Sequence, residues 1–230
     1  MHVSDLREFV KLLRDDECLE EYSTPVSTKY EIPSLLKKHD GRKAVFFTRV
    51  KGYETQVFGG VCCRRAFVAK GLETTPEAVL EKIIHSMKKP IKPRVFSDGV
   101  CQEVEAEDVD LIRDLPILTH YEKDGGPYIT SGIVLAKNSE TGRMNASYHR
   151  MMVIGKKRLV ARLVEGRDLH RFYTQVESKG KPLEAAVVIG APVELLVAAA
   201  TSPGQMCEVD VAGGLTGSPL ELVRCKTVDV

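Results

Sequence analysis

The stretch YITSGIVLAKNSETGRMNASYHRMMVI, Tyr128–Ile154, carries the most informative pattern in the sequence. Two runs of apolar and β-forming residues flank the turn NSETG at 138–142, a combination that predicts a β-hairpin. The second run contains Asn145, Ser147 and His149, which strand alternation places on one face. A solvated strand face would accommodate these polar side chains, and so would a binding site, so the pattern leaves both interpretations open.

The composition is that of an ordinary globular protein. Of the 230 residues, 43% are hydrophobic and 28% are charged, and the net charge is +1. This near-neutral charge gives no overall positive electrostatic potential that would attract nucleic acid. No apolar run reaches the roughly 20 residues of a membrane span, and the opening MHVSDLREFV does not resemble a signal peptide. The six cysteines are scattered without a CxxC pair, as expected for buried thiols in a reducing compartment. We therefore expect a cytoplasmic protein without a nucleic-acid partner or a membrane span.

The periodicity predicts an α/β (α+β) fold in two parts. Residues 1–114 form an N-terminal α/β domain, in which a helix begins after Ser4 as N-cap and another begins with Pro76 at its first position. The prolines of the segment KKPIKPRVFSDG indicate an extended connector without regular structure. Residues 115–230 are dominated by short strands, with helices expected in GRDLHRFYTQVESKG and APVELLVAAAT. Such closely spaced strands favour a bent sheet or a β-barrel.

A glycine pair precedes the first strand of the predicted hairpin. In KDGGPYITSG, Gly125 and Gly126 can form an ordinary turn, or they can let the backbone approach a ligand closely. In the second case Thr130 and Ser131 would supply hydroxyl groups to that ligand.

Two further segments and one more residue of the hairpin carry candidate ligand groups. In EGRDLHRF, Asp168 and His170 either begin a helix or bind a metal. In CEVDVAGG, Glu208 and Asp210 are either surface carboxylates or part of an oxygen-rich cation site. Arg150 is a fixed cation that can orient a carboxylate through two hydrogen bonds. None of these signals is specific by itself.

Taken in order, several stretches resemble the UbiD family of reversible decarboxylases, which use prenylated FMN held with a divalent metal and a monovalent cation. The matching segments are DLREF, DLPILTHYEKDGGPYITSGIVLAKNSETGRMNASYHRM, KPLEAAVVIGAPVELLVAAA and GSPLELVRCKTVDV, so the resemblance extends over essentially the whole chain. It implies that residues 115–230 form a split β-barrel that binds the flavin. It also implies Mn²⁺ or Mg²⁺, together with K⁺, as cofactors beside prenylated FMN.

The resemblance assigns roles to residues that match the family's motifs. Asn145 and Glu208 match metal ligands, and Arg150 matches the catalytic arginine. Where many members have a histidine as third metal ligand this sequence has Asp168, with His170 as the alternative. The cofactor-binding set implied in this way comprises Thr130, Ser131, Asn145, Ser147, Tyr148, His149, Arg150, Arg167 and Asp168.

The printed sequence ends at Val230, and the two glutamates and the C-terminal domain that follow in the family are not in it. We expect a UbiD-like decarboxylase, or one component of it, that acts on an α,β-unsaturated or aromatic carboxylic acid. The glutamates would come from a complementing subunit, or the chain is a shortened form or an inactive remnant. A non-catalytic cofactor-binding or scaffolding subunit and a plain FMN-binding protein are the alternatives. The partners implied are a flavin prenyltransferase as cofactor source and further chains in a homo-oligomer or complementing complex.

Overall fold

The computed structural model describes residues 5–230 and shows a chain of mixed α/β class, as the sequence predicted. The helices are α1 (Leu6–Asp15), α2 (Glu31–His39), α3 (Arg65–Gly71), α4 (Val79–Lys88), α5 (Leu111–Asp114), α6 (Asp168–Glu177), α7 (Val193–Ala199) and α8 (Glu208–Thr216), with a short 3-10 helix at Val100–Gln102. The strands are β1 (Leu19–Tyr22), β2 (Ala44–Phe47), β3 (Val57–Gly59), β4 (Arg94–Phe96), β5 (Tyr128–Ile129), β6 (Ile133–Lys137), β7 (Met144–Tyr148), β8 (Met151–Gly155), β9 (Arg158–Ala161), β10 (Ala185–Val188) and β11 (Glu221–Val223).

The chain folds into two compact units, each built from separate segments. The first unit contains the residues up to Pro76 together with Ala106–Thr130 and Arg150–Ala161. The second contains Glu77–Glu105, Ser131–His149 and Arg162–Val230. The division of the sequence at residue 114 stays a prediction.

In the first unit, strand β2 pairs in parallel with β1 and antiparallel with β3, and a second sheet has the order β5-β8-β9. Apolar side chains of β2 and of the segments around it form a buried core, consisting of Val26, Ile32, Val45, Phe47 and Val50. Helix α1 is capped by Asp5, whose carboxylate accepts from the N–H groups of Arg7 and Glu8. The cap predicted at Ser4 lies outside the described residues.

The second unit combines the sheet β10-β6-β7 and the pair β4-β11 with helices α4, α6, α7 and α8. Helices α4 and α8 approach closely at a pair of glycines in α8. A Cβ at Gly214 would lie 2.8 Å from the carbonyl oxygen of Ser86 and 2.9 Å from that of Lys89. A Cβ at Gly213 would collide with the backbone of Ile91. The glycine pair therefore permits a helix contact that any larger residue would disturb.

The predicted hairpin is present, but each of its two strands is divided. Strands β6 and β7 pair antiparallel, with Ala136 opposite Asn145, around the predicted turn. Strand β5 instead pairs with β8 in a different sheet, with Tyr128 opposite Met152. Each interruption lies where the chain passes from one unit to the other, between Thr130 and Ser131 on one side and between His149 and Arg150 on the other. The expectation of two continuous strands was therefore wrong.

Two local expectations also need correction, and one helix was not predicted. The helix expected from Pro76 begins at Val79, and the Pro76 carbonyl oxygen accepts a hydrogen bond from the Arg65 side chain. The proline-rich connector contains β4, since Arg94 follows the last proline and can donate its N–H, to Leu220. The CEVDVAGG segment begins helix α8, which the glycines concealed because they lower helix propensity.

The separate sheets bear on the predicted split β-barrel. Within residues 5–230 the strands form sheets of two or three strands, and none of these closes into a barrel, so that part of the prediction is not confirmed. No helix in the same range is long and apolar enough to cross a membrane.

Candidate functional site

The polar row exists as the alternation predicted, with Asn145 and Ser147 on β7 and His149 directly after its last residue. Ser147 Oγ donates to Asn145 Oδ1 at 2.8 Å and lies 3.0 Å from His149 Nε2. On its other side the His149 ring places Nδ1 3.4 Å from the carbonyl oxygen of Arg162. Asn145 and His149 are only 4% and 9% exposed. The row is therefore a buried hydrogen-bonded chain, and the alternative of a solvated strand face is wrong.

Glu208 joins this row from the first residue of α8. Its two carboxylate oxygens each lie 3.2 Å from Asn145 Nδ2, and Oε2 accepts the N–H of Ala146 at 3.0 Å. The residue is 4% exposed, so the alternative of a surface carboxylate is wrong. The amide donors and the N-terminal end of α8 partly offset the cost of burying this charge.

The electrostatics of Glu208 connect it to Asp168 and Arg143. Burial raises the pKa of Glu208, and the N–H of Ala146 opposes this effect by stabilising the carboxylate. The negative charge of Asp168 raises the pKa further, whereas the Arg143 guanidinium lowers it. The charges of Asp168 and Arg143 thus both act on the Glu208 carboxylate.

Arg143 is the residue of this cluster that the sequence reasoning missed. Its Nη2 lies 3.0 Å from Asp168 Oδ1, and its guanidinium carbon lies 5.3 Å from the centre of the Phe172 ring. It stands at the end of the hairpin turn, where a basic residue is normally exposed and uninformative. Only the packing of α6 against β6 and β7 brings its partners close to it.

The two neighbours of Asp168 that the sequence singled out have different environments. Arg167 is the N-cap residue of α6, and its Nη1 donates to Ser202 Oγ at 3.2 Å. The ring of His170 is half-buried and has no hydrogen-bond partner within residues 5–230. Of the two alternative ligands, Asp168 is the one that acts on the pKa of Glu208.

The remaining predicted residues divide between the two units. Thr130 and Arg150 belong to the first unit, where both are exposed and the Arg150 guanidinium carbon lies 5.5 Å from the centre of the Tyr128 ring. Ser131 and Tyr148 belong to the second unit. Ser131 is exposed, whereas the Tyr148 hydroxyl donates to the Leu196 carbonyl oxygen at 3.0 Å. The structure therefore joins Asn145, Ser147, His149, Asp168 and Glu208 in one cluster, and leaves the roles of the others as predictions.

Comparison with known protein families covers nearly the whole chain. The family model described as the 3-octaprenyl-4-hydroxybenzoate carboxy-lyase Rift-related domain matches residues 94–230, and the model of the corresponding N-terminal domain matches residues 10–87. The chain belongs to the UbiD family.

Individual members of the UbiD family are similar over almost the full chain. The anhydromevalonate phosphate decarboxylase of Methanothermobacter thermautotrophicus is 36% identical over 226 residues, which are 98% of this chain and 52% of that protein. The protein of the same name from Methanosarcina mazei is 34% identical over 95% of this chain and 50% of its own length.

A solved structure gives the same result. An evolved dimeric form of the UbiD-class enzyme HmfF from Pelotomaculum thermopropionicum, in complex with prFMN, is 37% identical and superposes with a TM-score of 0.94 over 99% of this chain and 54% of that one. The chain therefore spans about half the length of the UbiD relatives that it matches.

The buried cluster has the donor types that a hard divalent cation needs. The Asn145 carbonyl oxygen and the carboxylates of Asp168 and Glu208 are oxygen ligands of the kind that Mg²⁺ and Mn²⁺ prefer. Burial raises the pKa of Glu208 because it disfavours the charged form, and a bound cation would stabilise that form. Within residues 5–230 no three His, Cys, Asp or Glu side chains gather in a metal-binding arrangement, so a cation here would need the carboxamide as well. The residues present fit such an ion.

Proposed function

We propose that this chain holds prenylated FMN and a divalent cation in a UbiD-type reversible decarboxylase, or in one component of it. The observation that carries the proposal is the buried contact of Asn145 with Glu208, close to Asp168. A flavin phosphate is dianionic and needs cations, and Mn²⁺ or Mg²⁺ bound by these oxygens would supply positive charge. K⁺ is proposed as the additional monovalent ion, and a split β-barrel in residues 115–230 as the flavin-binding architecture.

The proposed roles follow from the side chains. Asn145, Asp168 and Glu208 would hold the cation, with His170 as the alternative to Asp168. The remaining residues of the predicted set would contact the cofactor, namely Thr130, Ser131, Ser147, Tyr148, His149 and Arg167. Because the Tyr148 hydroxyl already donates to a backbone carbonyl, we expect this residue to contribute its ring and main chain instead.

Arg150 is the proposed catalytic residue. Its guanidinium is permanently charged and exposed, and can bind a substrate carboxylate through two parallel hydrogen bonds. When bound, prenylated FMN supplies the electron sink for cleavage of the carbon–carboxylate bond. Arg150 itself would not supply the proton that replaces CO₂, since a guanidinium does not give up its proton at neutral pH.

The substrate class proposed is an α,β-unsaturated or aromatic carboxylic acid. Two relatives at 36% and 34% identity are named anhydromevalonate phosphate decarboxylase, and loss of water from a hydroxy acid can leave a carbon–carbon double bond. This likeness favours the unsaturated acids over the aromatic ones. We further propose a cytoplasmic protein that obtains its cofactor from a flavin prenyltransferase and assembles as a homo-oligomer or with a complementing subunit.

The test is co-expression with a flavin prenyltransferase, followed by native mass spectrometry of the chain with Mn²⁺. We expect the mass of prenylated FMN on the wild type, loss of that mass in Asn145→Ala, and retention in the control Asn138→Ala, which changes the same residue type in the hairpin turn. Arg150→Ala should keep the flavin and lose decarboxylation in the completed enzyme.

The other results have defined meanings. The mass of unmodified FMN would indicate a plain flavin-binding protein, and retained flavin without decarboxylation by the completed wild type would indicate a non-catalytic subunit. No flavin under any condition, including the presence of a partner chain, would refute the proposal. Normal retention by Asn145→Ala would show that the metal assignment is wrong.

A further inference from the structure

The Asn145 carboxamide turns its nitrogen toward Glu208. Both carboxylate oxygens lie 3.2 Å from Nδ2, while Oδ1 accepts the Ser147 hydroxyl proton. This orientation suits a free carboxylate, because an amide N–H donates to it. It does not suit a shared cation, because an amide nitrogen is a donor and cannot serve as a ligand.

A half-turn of the amide would convert the cluster into a ligand pair. The oxygen and nitrogen of a carboxamide have nearly the same size, so the rotation exchanges them without displacing neighbours. Oδ1 would then occupy the position that is 3.2 Å from both Glu208 oxygens. Two adjacent oxygens on one Mg²⁺, each bound at about 2.1 Å and at right angles, are roughly 3.0 Å apart. The spacing is therefore already that of a shared ion.

The rotation has a consequence for Ser147 and His149. The Ser147 hydroxyl carries a single proton, which in the described arrangement goes to Asn145. After the half-turn the Asn145 amide donates to Ser147 Oγ, so the hydroxyl proton must point to His149 Nε2. That nitrogen, 3.0 Å away, can accept when the ring proton is on Nδ1. Nδ1 faces the Arg162 carbonyl oxygen at 3.4 Å, which can only accept.

We propose that His149 is a positioning residue that allows this hydrogen-bond chain to reverse, so that Asn145 presents nitrogen to Glu208 without a cation and oxygen when a divalent cation is bound. His149 can do so because an imidazole can donate or accept at Nε2, depending on which nitrogen carries the proton. In the cation-free direction the Glu208 charge holds the Asn145 amide. In the reversed direction the cation stabilises Glu208, and the His149 ring gains the Arg162 carbonyl as acceptor. The inference rests on the cation site of the proposed function.

Manganese binding to the 230-residue chain, followed by electron paramagnetic resonance, tests the role of the ring. His149→Leu removes the acceptor for Ser147, and we expect the Mn²⁺ affinity to fall about tenfold, the equivalent of one unsatisfied hydroxyl group. His149→Gln carries both a donor and an acceptor, and should bind Mn²⁺ within a fewfold of the wild type. The decisive control is Asn145→Asp, in which both side-chain atoms are oxygens and no rotation is needed. In that background His149→Leu should have no further effect.

Nuclear magnetic resonance of the wild type tests the reversal directly and does not depend on the folding of any variant. With ¹⁵N-labelled histidine, the ring proton of His149 should move from Nε2 to Nδ1 when Mg²⁺ is added. An unchanged His149 tautomer would overturn the inference. It would also be overturned if His149→Leu lowered the Mn²⁺ affinity as much in the Asn145→Asp background as in the wild type. Wild-type affinity in His149→Leu would also overturn it.

The outcomes also separate this inference from the proposed function. If Asn145→Ala loses Mn²⁺ while His149→Leu binds normally, the cation site stands and only the reversal is refuted. If Asn145→Ala binds Mn²⁺ like the wild type, or the wild type binds none, the cation site itself is refuted and the inference fails with it.

Discussion

Gly214→Ala tests whether the contact between α4 and α8 fixes the helix that carries Glu208. The new Cβ would lie 2.8 Å from the Ser86 carbonyl oxygen, 2.9 Å from that of Lys89 and 3.0 Å from the Ser86 Cβ. All three atoms belong to the end of α4 or its C-cap, so rotating a side chain cannot relieve the overlap. The helices would have to separate by several tenths of an ångström.

The expected cost follows from two opposing effects. Overpacking of this kind costs about 1–3 kcal/mol, whereas replacing glycine by alanine within a helix contributes about 1 kcal/mol of stability. We therefore expect the free energy of unfolding to fall by about 1 kcal/mol, and by more in Gly214→Val, whose branched side chain is larger. Without the close contact, Gly214→Ala would stabilise the chain. The sign of the change thus identifies its cause.

Urea unfolding followed by circular dichroism measures this difference, provided that the transition is two-state and the slope is unchanged. A second measurement, the Mn²⁺ affinity, reports whether α8 has moved, because Glu208 is its first residue. A Gly214→Ala variant as stable as the wild type, or more stable, would refute the argument that the close helix contact requires glycine here.

Three further predictions concern charge and thiol reactivity. Burial raises the pKa of Glu208, so the native chain binds a proton at a higher pH than the unfolded chain does. The contribution of this residue to stability therefore grows as the pH falls toward 4.5. In urea unfolding, the stability of Glu208→Gln relative to the wild type should therefore be higher at pH 7.5 than at pH 4.5. The same difference in unfolding free energy at both pH values would contradict this. Arg143→Leu removes the closer of the two guanidinium groups paired with Asp168 and leaves only Arg171, at 3.8 Å, so it should lower the unfolding free energy by about 1–2 kcal/mol. Lys179→Leu, at an exposed ion pair, should lower it by under about 0.5 kcal/mol, and equal losses would refute the distinction. Burial raises the pKa of Cys207 to about 11, so its alkylation rate should still be rising between pH 9 and 10, and a plateau by pH 9 would exclude the shift.

The matched control for Glu208→Gln is Asp210→Asn in the same helix. The two substitutions remove the same charge from the first turn of α8, but only Glu208 contacts Asn145. Burial raises the pKa of Asp210 as well, so both variants should show the same direction of pH dependence. Only Glu208→Gln should weaken Mn²⁺ binding. Equal weakening in both would mean that net charge alone, and not ligation, controls the affinity.

The local sequence pattern was sufficient to predict strand β7 of the site, but it was insufficient to predict helix α8. Asn145, Ser147 and His149 could be placed on one face because alternation along a strand depends only on neighbouring residues. Helix α8 was missed because its glycines oppose helix formation locally, whereas it packs on α4, α7 and β7 in the fold. Arg143 was missed for a similar reason, since its partner Asp168 belongs to a separate helix.

The sequence by itself determined the mixed α/β class, the hairpin turn, the polar row on β7 and, through its motifs, the resemblance to the UbiD family. Each of these depends on residues that are close together in the chain. The tertiary structure decided where the hairpin strands divide, that Glu208 is buried against Asn145, and that the Asn145 amide faces it with nitrogen. These features depend on packing between distant segments and on a choice among hydrogen-bond partners, and neither can be seen until the chain has folded.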